Sequence, residues 1–161
     1  MYMWKTLLCT ASLVFFSGTA LFAQDKSADL AIVVNPASAL ESVSSAELAK
    51  ILKMDTKKSP DGVKYVVALR SAGSPEENAL LKGIYQMSEA ECQKYFLQAT
   101  FAGTIQAAPK QLASGAAVRQ FVASEKGAIS GLCASEADAT VKVLKIDGKS
   151  PGDAGYPLKL K

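Results

Sequence analysis

Histidine is missing altogether from the 161 residues of the chain. Its absence removes Ser-His-Asp and Cys-His nucleophile sites, histidine-ligated zinc, and the side chain that ordinarily titrates near neutrality. Aromatic residues make up only 7% of the sequence. Excess charge is small as well: the formal net charge is +3, and the lysines are scattered, with no basic run interleaved with aromatics. Such a surface offers little electrostatic footprint for nucleic acid or for a membrane. Neither a GxxxxGK phosphate cradle nor a spaced set of metal ligands occurs, so no cofactor or metal is expected. No nucleophile-base set is visible either, which argues against an enzyme. Small molecules or other proteins are the expected partners.

What the chain does hold is 49% hydrophobic and 20% charged residues, the composition of a globular domain rather than a disordered one. One modest domain is the natural expectation at this length.

The first 23 residues differ from the rest. Met1-Tyr2-Met3-Trp4-Lys5 supplies a short cationic start and Thr6 to Phe16 a nearly unbroken apolar run, which ends at Ser17-Gly18-Thr19-Ala20 and Leu21-Phe22-Ala23. This pattern predicts a secretory signal peptide over residues 1–23, cleaved after Ala20 or Ala23, because the run is too short to span a bilayer. Cys9 lies inside the apolar run, behind Thr6-Leu7-Leu8, and fits a lipid-modification site poorly. The expected product is residues 24–161, exported to the periplasm with no membrane insertion after cleavage.

Two cysteines, Cys92 and Cys133, remain in that product, and the compartment permits disulfides. Spacing leaves both a structural bridge and buried thiols open. Cys92 falls in register with Tyr95, Phe96 and Ala99 on one helical face, which disfavours a reactive thiol.

Leu30 to Val34 is a short apolar run closed by Asn35-Pro36 and reads as a buried strand. Ser44-Ser45-Ala46-Glu47 is a capping box ahead of Leu48, Ile51 and Leu52 at helical spacing. Turn residues follow from Met54 to Gly62, then a second strand is expected over Val63 to Leu69. Ser74-Pro75-Glu76-Glu77 opens the next helix, whose buried face is Leu80, Leu81, Ile84 and Tyr85. Another capping box, Ser88 to Glu91, starts a third helix, and the two should form a hairpin. Phe101 to Lys110 reads as a loop, and Ala117, Val118, Phe121 and Val122 mark a fourth helix that stops near Gly127. Ala128 to Cys133 and Val141 to Ile146 are the last expected strands, followed by an irregular tail. Strands alternating with helices predict an α/β layer structure in which helices cover the sheet.

Ligands in such sheets sit outside the carboxyl ends of strands. Arg70-Ser71-Ala72-Gly73-Ser74 lies there, between the second strand and a helix. Backbone N–H groups, two hydroxyls, a permissive glycine and a guanidinium suit a tetrahedral oxyanion. Glu76 and Glu77 weigh against it, since they already complement the helix dipole and would repel an arriving anion. A second candidate is the loop Asn35 to Ser38, with Asn35 and Ser38 placed to face the same edge.

The order of segments resembles a known family. Ala31-Ile32-Val33-Val34-Asn35, Ser44 to Leu52, Asp61-Gly62, Arg70 to Ser74, Phe101-Ala102-Gly103 and Gly127-Ala128-Ile129 are similar to stretches of the periplasmic phosphate-binding proteins of ABC transporters. The likeness is to their small, single-domain branch. The resemblance covers about residues 30 to 146. It implies one lobe of the type 2 periplasmic-binding fold, a mixed sheet covered by helices, and phosphate or a similar oxyanion held by Arg70, Ser71, Gly73 and Ser74. Departures accompany it. Where the family loop ordinarily reads R-S-D-G-S-G-T, this chain has Ala72 for the aspartate, Pro75 for the glycine and Glu76 for the threonine. The tryptophan usual after the first helix is absent, with Ser59 nearest, and the late G-x-I-G-Y has become Gly127 to Gly131. A single lobe would also hold phosphate loosely. Two functions are therefore expected: an exported solute-binding protein serving ABC transport, or an accessory or sensory protein that has lost phosphate binding and contacts a membrane transporter or receptor.

Overall fold

The structure, a computed structural model, describes residues 29–160; the expected signal peptide lies outside the described residues. Strand β1 (Leu30–Val34) is buried along its whole length, because both faces of the sheet are covered. Leu30, Ile32 and Val34 feed the larger apolar cluster, while Ala31 and Val33 feed a smaller one with Val118, Val122 and Leu132. Period-two alternation sends successive side chains to opposite faces, so a continuous apolar run is what a doubly covered strand requires.

The chain then forms β2 (Ser42–Val43), α1 (Ser45–Leu52), β3 (Val66–Arg70) and α2 (Pro75–Leu80). Next come α3 (Glu89–Phe101), β4 (Lys110–Leu112), α4 (Gly115–Ser124), β5 (Ala128–Cys133), β6 (Lys142–Val143) and β7 (Lys145–Ile146). Five strands make a mixed sheet in the order β4-β3-β5-β1-β6, and β2 pairs with β7 apart from it. β3 runs parallel to β4 and β5, whereas β1 runs antiparallel to β5 and β6. Helices flank both faces: α1, α2 and α3 lie over the larger cluster and α4 over the smaller.

Local sequence explains the helix starts. Ser44 and Glu47 close a capping box on α1, Ser88 and Glu91 close one on α3, and Ser74 caps α2 with Pro75 at its first position. α2 continues into a wide π turn, Leu81–Tyr85, and all four expected face residues, Leu80, Leu81, Ile84 and Tyr85, are buried. Gly83 belongs to that turn and lets Leu158 approach to 3.0 Å from where a Cβ would stand.

Several boundaries differ from the sequence expectation. β3 begins at Val66 rather than Val63, because Val63 is tied into a turn by the Ser59 N–H bond to its carbonyl at 2.8 Å. The Val141 to Ile146 run is split. Val143 stays beside β1, Leu144 donates to the Ile32 carbonyl at 2.8 Å, and Lys145 crosses to the second sheet. β4 arises where the expected loop ends and no element is expected, since Lys110-Gln111-Leu112 has no apolar pattern and gains strand form only by pairing with β3. The irregular tail is firmly packed: Tyr156 donates its hydroxyl to the Leu30 carbonyl at 2.8 Å, and the buried Asp29 carboxylate binds Lys159 Nζ at 2.5 Å and the Gly152 N–H at 2.6 Å.

The candidate bridge between Cys92 and Cys133 is not formed. Cys92 sits on α3 beside the Tyr85, Tyr95 and Phe96 ring cluster. It is α2, not α3, that covers β5 near Cys133: Leu80 lies over Gly131, leaving 3.0 Å to a Cβ there. The Cys133 sulfur instead lies 3.0 Å from the Ser135 hydroxyl.

Candidate anion-binding loop

β3 delivers Arg70 to the carboxyl edge of the sheet, and the chain turns through Ser71 to Ser74 into α2. Gly73 makes the turn with φ +78°, a conformation that favours glycine. The loop therefore has the expected position, and its donors can be followed one by one.

The Gly73 N–H donates to Glu77 Oε2 at 2.7 Å. The Ser74 hydroxyl oxygen accepts the Glu77 N–H at 3.2 Å as the cap of α2. Ser71 donates both its N–H, at 3.1 Å, and its hydroxyl, at 3.2 Å, to the Leu112 carbonyl of β4. Arg70 donates from Nη1 to that same carbonyl at 3.4 Å, and its Nε lies 3.4 Å from Glu76 Oε1. Both members of this ion pair are largely withdrawn from water, with side chains 16% and 9% exposed. Asn78 Nδ2 closes the turn on the Gly73 carbonyl at 3.3 Å.

Most donors of the loop are thus taken up from within; the exception is Arg70 Nε, which is buried without a hydrogen-bond partner and has only the 3.4 Å ion-pair contact with Glu76. Two buried carboxylates, Glu76 and Glu77, lie against the Arg70 guanidinium and the Gly73 N–H. Burial pushes the Glu77 carboxyl above the ordinary glutamate range, the Gly73 N–H pulls it partly back, and Glu89 adds to the upward push. Introducing a further anion would set it against these charges at close range, and the repulsion disfavours it.

Asn35 and Ser38 are not brought to this loop. β1 runs opposite to β3, and its Val34 stands level with Ile129 and Val67, so Asn35 leaves the sheet at the edge where β3 begins. Arg70 is four residues further along β3, roughly 13 Å at the usual rise per strand residue. Asn35 is buried and has structural work: its Nδ2 donates to the carbonyls of Val122 and Ala123, both at 2.9 Å, and its Oδ1 accepts the Ala37 N–H at 2.9 Å. It closes the end of α4. The Ser38 hydroxyl oxygen accepts the Leu40 N–H at 3.2 Å, and the Ser38 carbonyl accepts Lys142 Nζ at 2.9 Å.

Sequence reasoning missed the Leu112 carbonyl, which gathers three donors from Arg70 and Ser71, because β4 carries no pattern of its own. The reach of Glu77 back to Gly73 was foreshadowed by two acids in the first turn of α2. Among the described residues no cluster of three His, Cys, Asp or Glu side chains could hold a metal ion, and no helix is long and apolar enough to cross a membrane.

No protein-family model matches the chain, and no curated protein matches its sequence. Solved structures do match. A protein from Clostridium perfringens described as a phosphate ABC transporter substrate-binding protein, with bound phosphate, aligns over 77% of this chain with a TM-score of 0.63 at 14% identity. An ABC-type phosphate transport receptor from Vibrio cholerae aligns over 77% with a TM-score of 0.62 at 17% identity. The chain has the fold of a periplasmic-binding-protein domain. PstS from Borrelia burgdorferi aligns over 83% with a TM-score of 0.60 at 14% identity. The alignments cover 47%, 48% and 55% of those three proteins, so the chain spans about half the length of each. At these identities the likeness is one of fold, and fold does not carry function by itself.

Proposed function

We propose that the protein is an exported, non-enzymatic member of the periplasmic-binding fold whose anion loop is filled by its own carboxylates. It acts through contacts with a membrane transporter or receptor rather than as a carrier of phosphate. The observation that carries this reading is the 2.7 Å bond from the Gly73 N–H to Glu77, with Glu76 against Arg70 beside it. A backbone N–H held by a carboxylate of the helix that follows it is not open to a phosphate oxygen. The exposed apolar side chains of α3, Leu97 at 58% and Phe101 at 84%, supply contact surface for a protein partner.

Calorimetric titration with phosphate tests the reading. The wild-type chain is expected to give no saturable heat at millimolar ligand. The variant carrying Glu76→Gln and Glu77→Gln, which keeps the side-chain shape but removes both charges, is expected to show a phosphate-dependent rise in melting temperature through ligand linkage. Saturable binding of phosphate by the wild-type chain overturns it.

The solute-binding alternative retains one point of support: Arg70, Ser71, Gly73 and Ser74 do stand together at the carboxyl edge of the sheet. It requires both glutamates to withdraw when the anion arrives.

A further inference from the structure

At the other edge of the sheet from Arg70, a cleft of about 260 Å³ opens between the end of α1, the turn leading into β3 and the loop after α3. Its floor is apolar, built from Ile51, Val67 and Ile105, all buried. Tyr65, only 8% exposed, forms one wall, and Met54 forms another with a flexible, polarisable side chain that adapts to what it touches.

The mouth is cationic. Lys57 and Lys64 both line it, and no carboxylate does. Lys64 Nζ donates to Gln106 Oε1 at 2.5 Å, and neither lysine has an ion-pair partner among the described residues. The nearest acids stand outside the lining: Asp61 accepts from the Ser59 hydroxyl, Asp55 lies 3.5 Å from the Tyr95 hydroxyl, and burial, with Asp61 and Glu47 close enough to add to it, pushes the Tyr65 hydroxyl pKa up. Apolar floor, aromatic wall and two lysines without an ion-pair partner among the described residues coincide in this one concavity.

The geometry points to a binding site for a small organic anion with an apolar or aromatic body and a single carboxylate. The body fills the space over Ile51, Val67 and Ile105, and the carboxylate lies between Lys57 and Lys64, displacing the Lys64 contact with Gln106. The volume falls below the roughly 300–1,000 Å³ of sites for drug-sized ligands, which restricts the occupant to a single ring or a short chain. The site is separate from the anion loop and makes no use of Arg70 or Glu77, so the protein can respond to a small molecule even with that loop closed.

Phenylacetate is the probe, titrated calorimetrically into the full chain, with phenylacetamide and acetate as ligands lacking the charge or the body. Saturable binding of phenylacetate, at least about tenfold tighter than either control, is expected. Lys57→Met with Lys64→Met should weaken phenylacetate about tenfold while leaving the melting temperature unchanged, since both lysines are exposed. Thr104→Trp, on the exposed rim, should plug the cleft and abolish binding with the lysines intact. Absence of saturable heat with phenylacetate at millimolar concentration, equal affinity for phenylacetamide, or undiminished binding in either variant overturns the proposal.

Discussion

Glu77 reaches back four residues and accepts the Gly73 backbone N–H at 2.7 Å, while its own N–H is held by Ser74 at 3.2 Å. The two bonds lock the turn between β3 and α2 into one ring of contacts. Glu77→Ala removes the carboxylate and exposes a Gly73 N–H that water can reach, so the expected loss is modest, about 1 kcal/mol in denaturant unfolding. A loss several times larger would show that Glu77 also supports the core.

Acidification separates Glu77 from the helix-capping glutamates by sign. Burial raises the Glu77 pKa in the folded state above the ordinary 4.5, so its protonated form is favoured by folding. Its stabilising contribution is complete below the unfolded value and is lost as pH rises through the folded one. Wild type should therefore gain on Glu77→Gln as pH falls through the window just above 4.5. Glu47 and Glu91 behave in the opposite way, because backbone N–H bonds at Ser44 and Ser88 hold their carboxyls low. Their contribution is present above the unfolded value and is lost as pH falls through the folded one, below 4.5. Chemical unfolding of Glu47→Gln and Glu91→Gln across this range should show a shallower acid loss than wild type.

Asp29 ties the tail to the first strand. Its buried carboxylate accepts from Lys159 Nζ at 2.5 Å and from the Gly152 N–H at 2.6 Å. Asp29→Ala leaves Lys159, which is half exposed, free to rehydrate, but orphans the buried Gly152 N–H at a cost of about 1–3 kcal/mol. Hydrogen exchange should then show the tail amides around Tyr156 and Leu158 opening before the sheet does. Unchanged exchange in the tail would contradict this role.

Ser130 in β5 and Gly127 just ahead of that strand should respond oppositely to alanine. The Ser130 hydroxyl is fully buried against the α4 face with no hydrogen-bond partner, so Ser130→Ala should be neutral or stabilising by thermal unfolding. Gly127, just ahead of the strand, would place a Cβ 1.8 Å from the Lys64 carbonyl oxygen. That contact is with backbone and cannot be relieved by a rotamer, so Gly127→Ala should cost at least about 1–3 kcal/mol.

The strands and helices with strong local signals were legible in the sequence: β1 from its unbroken branched run, α1 and α3 from their capping boxes, α2 from Ser74-Pro75. β4 was not, because Lys110, Gln111 and Leu112 become a strand only through their partner β3. The split at Leu144 was hidden for the same reason, since both halves of the run are apolar enough and only tertiary pairing assigns them to different sheets. At the Arg70 to Ser74 loop, residue types gave the place between β3 and α2 but not the occupancy of the donors. Asn35 looked like a ligand residue at a strand end; the direction of β1, which decides its edge, is a property of topology and not of composition.

In the proposed function the Gly73 N–H, held by Glu77, is closed to anions. The Gly73 amide resonance, followed by NMR while phosphate is added to the millimolar range, tests it most directly. This resonance is expected to stay in place in the wild-type chain. A saturable shift of the Gly73 amide with phosphate, accompanied by movement of the Glu77 side-chain carboxyl signal, would contradict it.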